Sequence, residues 1–284
     1  MRTKVKATMH GAISIVNAIA TGRGSALGIS LKVTAKVALE NGRGIKFDNR
    51  KEDKLISTIV CKTIPAEMIA NNMISIKIES EIPYGFGLKS SSAVSNAIAL
   101  ACSRLVSKDV CDFKVLDIAV NASLDAKVSI TGAYDDATAC YFGGFVLTDN
   151  YARKLIRRES APENLYAIIL VPQQKTRSNI YKLRIMSDFF INSFKLAEAG
   201  EYWKAMRLNG VLASAALSLK YEPVLGALEK HALAAGVSGN GPSVAAVAYE
   251  NQVDDIKSVF ANFNGSILVS KLNNQKASVE EIIG

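Results

Sequence analysis

Pro83-Tyr-Gly-Phe-Gly-Leu-Lys-Ser-Ser-Ser-Ala93 joins two segments of different period. Before it, Ile74-Ser-Ile-Lys-Ile-Glu79 alternates apolar and polar residues as a half-buried strand does. After it, Ala93 to Val106 is Ala-rich and apolar and reads as a helix. The junction is therefore a strand-to-helix loop. Gly85 and Gly87 let its backbone approach a ligand closely, Ser90, Ser91 and Ser92 bring hydroxyls, and the unbonded N–H groups of a helix start attract anions. Phosphate suits such a loop. A serine-capped glycine turn without a ligand shares the Gly-x-Gly, and the longer string is what separates the two readings.

Two commoner phosphate motifs fail here. A Walker A loop needs glycine where Pro83 and Leu88 stand, although Lys89-Ser90 matches its ending, and a dinucleotide fingerprint needs glycine at Ser90.

Pro-x-Gly-x-Gly-Leu-x-Ser-Ser-x-Ala resembles instead the second motif of the GHMP kinases, the superfamily of galactokinase, homoserine kinase and mevalonate kinase. Two further stretches agree with it in chain order. Thr131-Gly-Ala-Tyr-Asp-Asp-Ala-Thr-Ala-Cys-Tyr-Phe-Gly-Gly144 is similar to the segment that carries the family's aspartate ahead of paired glycines, and Gly236-Val-Ser-Gly-Asn-Gly-Pro-Ser243 to its third, glycine-rich motif.

The resemblance implies an α+β fold of two domains. Residues 1–155 would form a ribosomal-protein-like N-terminal domain with the phosphate loop and catalytic aspartate. Residues 156–284 would form a ferredoxin-like C-terminal domain with the third motif. It also implies ATP and Mg2+ as cofactors. Pro83, Gly85, Gly87, Leu88, Lys89, Ser90, Ser91, Ser92, Gly239 and Gly241 would face the nucleotide, and Ser91 would bind the metal. The family places a second, acidic metal ligand ten or eleven residues before its catalytic aspartate. Asp125 lies ten before Asp135 and eleven before Asp136. Spacing of the mevalonate-kinase kind selects Asp136 as the base, by its distance to Gly143; spacing of the homoserine-kinase kind selects Asp135, and Asp136 is preferred.

Phosphoryl transfer requires positioning and neutralisation of phosphate charge, with a carboxylate near the acceptor hydroxyl to take its proton. An acidic pair can also cap a helix or turn, the bland reading of Asp135-Asp136. Many family members begin with Pro-Gly-Lys or Pro-Gly-Arg, whereas this chain has His10-Gly11-Ala12. Lys89, where many members have glycine, could supply the missing cation as a point charge or be a solvated surface lysine.

Gly11 to Ile29 and Thr131 to Asp136 look most like the archaeal-type shikimate kinases, a GHMP branch, which implies transfer to the 3-hydroxyl of shikimate. A carboxylate acceptor has to meet an arginine or a cluster of donors. Arg177 and Arg23 are candidates, each equally readable as a solvated loop arginine, and His10 is a third candidate for a substrate contact. Homoserine and mevalonate kinases are the rival activities. A basic RNA-binding protein is the rival class, since ribosomal-protein-like folds also bind RNA.

At 284 residues with 49% hydrophobic content the chain can fill a sizeable core. Its net charge of +8 favours acidic partners without choosing among them. The basic residues are scattered; Arg153-Lys154 with Arg157-Arg158, and Lys175, Arg177, Lys182 and Arg184, read as solvated faces rather than an RNA-reading motif. Cys61, Cys102, Cys111 and Cys140 include no Cys-x-x-Cys pair and read as buried free thiols of a reducing compartment. Two histidines, His10 and His231, leave little material for a histidine triad or metal centre. Arg2, Lys4 and Lys6 precede a mildly apolar stretch, but His10, Ser14 and Asn17 interrupt it as a signal peptide, so the expected location is cytoplasmic.

Beyond the motifs, strands are expected at Lys4 to Thr8, Gly28 to Leu39, Leu165 to Val171, Val244 to Tyr249 and Gly265 to Val269. Helices are expected at about Asp112 to Ser129, Ile180 to Ala199, Glu201 to Leu219, from Pro223 and around Val253 to Phe260. The polar stretch from Asp149 to Asn164 offers a domain boundary.

Overall fold

The computed structural model describes residues 3–48, 53–175 and 179–282. The chain opens with two long antiparallel strands, β1 (Lys4–Val16) and β2 (Arg23–Glu40), and then β3 (Gly44–Asp48). Two helices follow, α1 (Lys54–Thr63) and α2 (Ala66–Asn71), before β4 (Met73–Ser80). The sequence reading assigned neither helix. In α1 the Asp53 carboxylate accepts from the N–H groups of Leu55 and Ile56 as a side-chain cap. Leu55, Ile56, Ile59 and Val60 form its buried stripe at helical spacing.

The phosphate-loop region leads into α3 (Ser90–Val106), then α4 (Asp112–Asp125), α5 (Tyr134–Phe142), β5 (Phe145–Asp149) and β6 (Lys154–Glu159). Helix α3 is buried almost all round between Ala93 and Cys102, because small side chains let it lie between β1, β2 and the neighbouring helices. Helix α4 stops at Asp125 rather than continuing to Ser129, since Lys127 takes a left-handed conformation at φ 59°. Residues 134–142, read from the sequence only as part of a motif, form α5.

The second unit runs β7 (Leu165–Pro172), α6 (Lys182–Ile185), α7 (Ser187–Glu198), α8 (Tyr202–Leu217), α9 (Glu222–Glu229), β8 (Ala234–Val237), β9 (Val244–Tyr249), α10 (Val253–Phe260) and β10 (Gly265–Lys271), after which β11 (Ser278–Glu281) returns to β1. The single helix expected from Ile180 to Ala199 is broken at Met186, whose φ of −102° and ψ of 21° interrupt the ladder.

The first sheet has the order β11-β1-β2-β4-β3. Strand β2 serves two partners, pairing its Val33–Glu40 half with β4 and its Arg23–Leu27 end with β5, which in turn pairs β6. The second sheet, β10-β7-β9-β8, is antiparallel and its strand-helix-strand-strand-helix-strand order is ferredoxin-like. In β7, Ala167, Ile169 and Val171 join one core cluster and Ile168 and Leu170 the other. Both faces of this sheet are covered, which explains the unbroken apolar run.

The division expected at 155/156 falls within β6, whose pairing with β5 keeps it in the first sheet. Strand β7 is the first in the second sheet, and β11 returns to the first by pairing with β1. Cys102 and Cys140 are buried, but Cys61 and Cys111 are exposed, which corrects the expectation of buried thiols; all four are free. Among the described residues no helix is long and apolar enough to cross a membrane.

Candidate active site

The phosphate-like loop owes its shape to an alternation. Gly85, Gly87 and Lys89 have φ of 81°, 82° and 64°, so every second residue is left-handed. Such alternation gathers successive N–H groups on one concave side, an anion-binding arrangement. No side chain caps the N-terminus of α3, so its first N–H groups remain available to a ligand. Leu88 lies in the core beneath the loop and anchors it.

The third glycine-rich loop packs directly on this one. A Cβ built on Gly87 would lie 2.0 Å from the carbonyl oxygen of Ser238, so only glycine permits the approach. The Ser238 hydroxyl donates to the Gly87 carbonyl at 2.8 Å and accepts from the Ser14 N–H at 3.2 Å, while the Gly239 N–H donates to Ser14 Oγ at 2.9 Å. Asn17 Nδ2 donates to the Gly239 carbonyl at 2.9 Å, and the Asn17 N–H donates to Asn209 Oδ1 at 2.8 Å. The end of β1 thus ties the two loops together.

Asp135 and Asp136 lie in the first turn of α5, where the helix dipole favours negative charge. Asp136 Oδ1 stands 2.8 Å from Lys89 Nζ, with side chains 19% and 6% exposed. At this distance, and with both side chains largely buried, the two form a close charge-assisted pair. Burial opposes the ammonium charge, but Asp136 and Asp135 outweigh it and raise the Lys89 pKa.

Asp135 is held from behind by Asn150, a buried residue whose amide is fully used. Asn150 Nδ2 donates to Asp135 Oδ1 at 2.8 Å and to Thr131 Oγ1 at 3.2 Å. Its Oδ1 accepts from the Asp135 N–H at 3.0 Å and from Thr148 Oγ1 at 2.7 Å. Burial, and then the charge of Asp136, push the Asp135 pKa up to about 7, against the pull of Lys89 and Asn150.

These groups line one cleft of about 320 Å³. Gly85, Gly87, Lys89, Ser90, Ser91 and Ser92 form one wall, and Gly239, Asn240 and Gly241 face them. Ser123, Val128 to Thr131, Ala133, Asp135 and Asp136 form another wall, and Ser14 to Ile19 contribute Ser14, Asn17, Ala18 and Ile19. Ile180 closes the lining.

Several expected residues lie elsewhere. Asp125, expected as a metal ligand, is not among the lining residues: its carboxylate is 55% exposed and meets Lys62 Nζ at 2.8 Å. Helical geometry explains this, because Ser123 faces the cleft and a residue two positions on is turned by about 200°. His10 is buried beside a β-bulge, with no hydrogen-bond partner for Nδ1 and no share in the cleft lining. Burial, then Lys32, lower its pKa, against Glu81. Arg23 is outside the lining as well, 3.9 Å from Asp149 Oδ2, although its neighbour Gly24 packs against Asp135. Pro83 is likewise not among the lining residues. Arg177 lies outside the described residues. Sequence reasoning missed Ser14, Asn17, Ser123 and Asn150, single polar residues that carry no motif.

Known proteins resemble this chain in sequence and fold. Residues 55–144 match the model of the GHMP kinases N-terminal domain, and residues 199–266 that of the GHMP kinases C-terminal domain. A shikimate kinase of Methanothermobacter thermautotrophicus is 37% identical over 98% of this chain and 99% of its own length. A shikimate kinase of Pyrococcus furiosus is 38% identical over 91% of this chain and 96% of its own length. Among solved structures, the homoserine kinase of Cytophaga hutchinsonii superposes with a TM-score of 0.78 at 19% identity, covering 99% of this chain and 98% of that one. The mevalonate kinase of Methanococcus jannaschii gives 0.77 at 14% identity, covering 96% and 99%. At such identities the likeness is one of fold. With both of its domain models matched and full-length relatives above one-third identity, the chain belongs to the GHMP kinases.

Proposed function

We propose that this protein transfers the γ-phosphoryl group of ATP to the 3-hydroxyl of shikimate. The observation that carries the reading is the Lys89–Asp136 pair, a buried cation and carboxylate set at the end of a phosphate-shaped loop. The full-length relatives named shikimate kinase supply the acceptor.

The loop N–H groups from Gly85 to Ser92 hold the phosphates by backbone donation, and the third loop at Gly239 and Gly241 bounds them from the other side. Asp136, which lines the cleft, takes the proton of the acceptor hydroxyl as the new oxygen–phosphorus bond forms. Lys89 orients that carboxylate and offsets charge on the transferred group. Asp135, buried and fixed by Asn150, sets the charge of the pair.

The donors in the cleft fit magnesium, which takes one or two protein oxygens and completes its shell with phosphates and water. Ser91 would hold it, and the Asp135–Asp136 pair provides the carboxylates of the lining, with Asp125 facing away. Bound there, the ion would neutralise phosphate charge.

A coupled ADP-release assay offering shikimate, homoserine and mevalonate in parallel tests the reading. Turnover on shikimate, reduced by at least about a hundredfold in Asp136→Ala, is expected. Absence of turnover on shikimate by folded protein with magnesium present overturns the acceptor. Retention of rate within a few-fold by both Asp136→Ala and Asp135→Ala overturns the carboxylate mechanism.

A further inference from the structure

Among the described residues, the cleft lining carries a charge deficit for the ligand assigned to it: its cation there is Lys89, which is already paired with Asp136, and Asp135 adds a further acid. A nucleoside triphosphate brings several negative charges, only part of which a helix start and a loop of N–H groups can balance.

A second cation stands against the phosphate loop, outside the residues that line the cleft. Lys175 follows β7 in the second unit and is exposed. Its Nζ lies 5.2 Å from the Tyr84 ring centroid and 5.3 Å from that of Phe86, the two aromatic residues that flank Gly85. A Cβ on Gly85 would lie 2.9 Å from this ammonium, so Lys175 lies directly over the loop at this glycine. Gly85 also lines the cleft. Among the described residues no carboxylate pairs with Lys175, and it is held only by ring faces, a weak restraint for an exposed cation. A compact ammonium on a flexible stem can leave such a perch for a stronger anionic partner.

We propose that Lys175 is a nucleotide-binding residue whose ammonium exchanges the Tyr84 and Phe86 rings for a phosphate of bound ATP. The proposal rests on the ATP reading above and extends it to a residue of the second unit. It makes phosphate binding a joint task of the two units, with Lys89 fixed on the carboxylate side and Lys175 supplied from the loop side.

Calorimetric titration with ATP and magnesium, beside titration with adenosine, tests this on the full chain. Lys175→Met is expected to weaken ATP binding about tenfold, the scale of one charge-assisted contact, and to leave adenosine binding unchanged. Lys175→Arg is expected to restore most of the loss, and in turnover the effect falls on KM for ATP far more than on kcat. ATP affinity of Lys175→Met within twofold of wild type overturns the proposal, as does an equal loss for adenosine. If Lys175→Met weakens ATP binding while the wild type fails to phosphorylate shikimate, the Lys175 assignment stands and the acceptor assignment falls. If the folded wild type does not bind ATP, both fall.

Discussion

The Lys89 ammonium meets the Asp136 carboxylate at 2.8 Å although one residue precedes α3 and the other opens α5. Lys89 reaches it from a left-handed backbone, a conformation that a side chain disfavours and that glycine adopts freely. The position where many family members have glycine is therefore occupied by lysine at a conformational cost.

That cost separates stability from rate in two variants that both lack the ammonium. Lys89→Gly should be more stable than Lys89→Ala by about 1 kcal/mol, because only alanine keeps the left-handed strain. Both should lose turnover by at least about tenfold, since each leaves Asp136 without its cation. Denaturant unfolding together with kcat checks the pair. Equal stabilities would remove the strain argument, and undiminished rates would remove the role of the ammonium.

Asp135 predicts a particular pH dependence of stability. Its native pKa of about 7 lies above that of an unfolded aspartate, near 4, so between these values the folded state binds more protons than the unfolded one. Its contribution is fully present below about pH 4, falls as pH rises and levels off above about pH 7. His10 acts in the opposite sense, since its lowered pKa costs stability as pH falls below about 6.5. Lys89 titrates far above this window. Asp135→Asn should therefore flatten the decline between about pH 4 and 7 relative to wild type, as measured by denaturation midpoints. An unchanged profile would contradict the raised pKa.

Gly87→Ala should harm both fold and nucleotide binding. Its Cβ would sit 2.0 Å from the Ser238 carbonyl oxygen, on a backbone with φ of 82°, so the two glycine loops have to separate. A loss of about 1–3 kcal/mol is expected from the strained backbone alone. The increase in KM for ATP should exceed that for the acceptor. Thermal unfolding and steady-state kinetics read the two effects independently.

Asp125→Asn tests the metal ligand that the family spacing implies. The Lys62–Asp125 pair is exposed and should contribute at most about 1 kcal/mol. Magnesium dependence and turnover should stay within about twofold of wild type, whereas a carboxylate that held the ion would shift the magnesium requirement strongly. A titration of rate against magnesium distinguishes the two.

Much of the site was readable from local chemistry. The glycines and hydroxyls of 83–93 specify a loop that accommodates anions whatever surrounds them, and the change from strand to helix period at that loop fixes which end of α3 faces it. Asp135 and Asp136 stood out by adjacency. Asn150 did not, because its importance comes from four hydrogen bonds to residues 131, 135 and 148, and no spacing signals that. Helix α1 escaped notice because its apolar stripe is short and its start depends on one cap, Asp53.

Asp125 shows the limit of spacing as evidence. A match in sequence distance carries no direction, and the turn of a helix sends Asp125 to solvent while Ser123 faces the cleft. Arg23 and His10 show the same for surroundings, each being close in sequence to a cleft residue yet outside the lining itself.

By itself, then, the sequence determined the α+β class and the kinase family and singled out the segments proposed to hold phosphate, because each depends on local backbone freedom, periodicity and motif order. Only the tertiary structure decided that Lys89 pairs with Asp136, that Asp135 is enclosed, and that Lys175 crosses the phosphate loop from the second unit. The physical reason is that charge pairing and desolvation act between elements distant in the chain, and their strength depends on separations and burial that no linear pattern encodes.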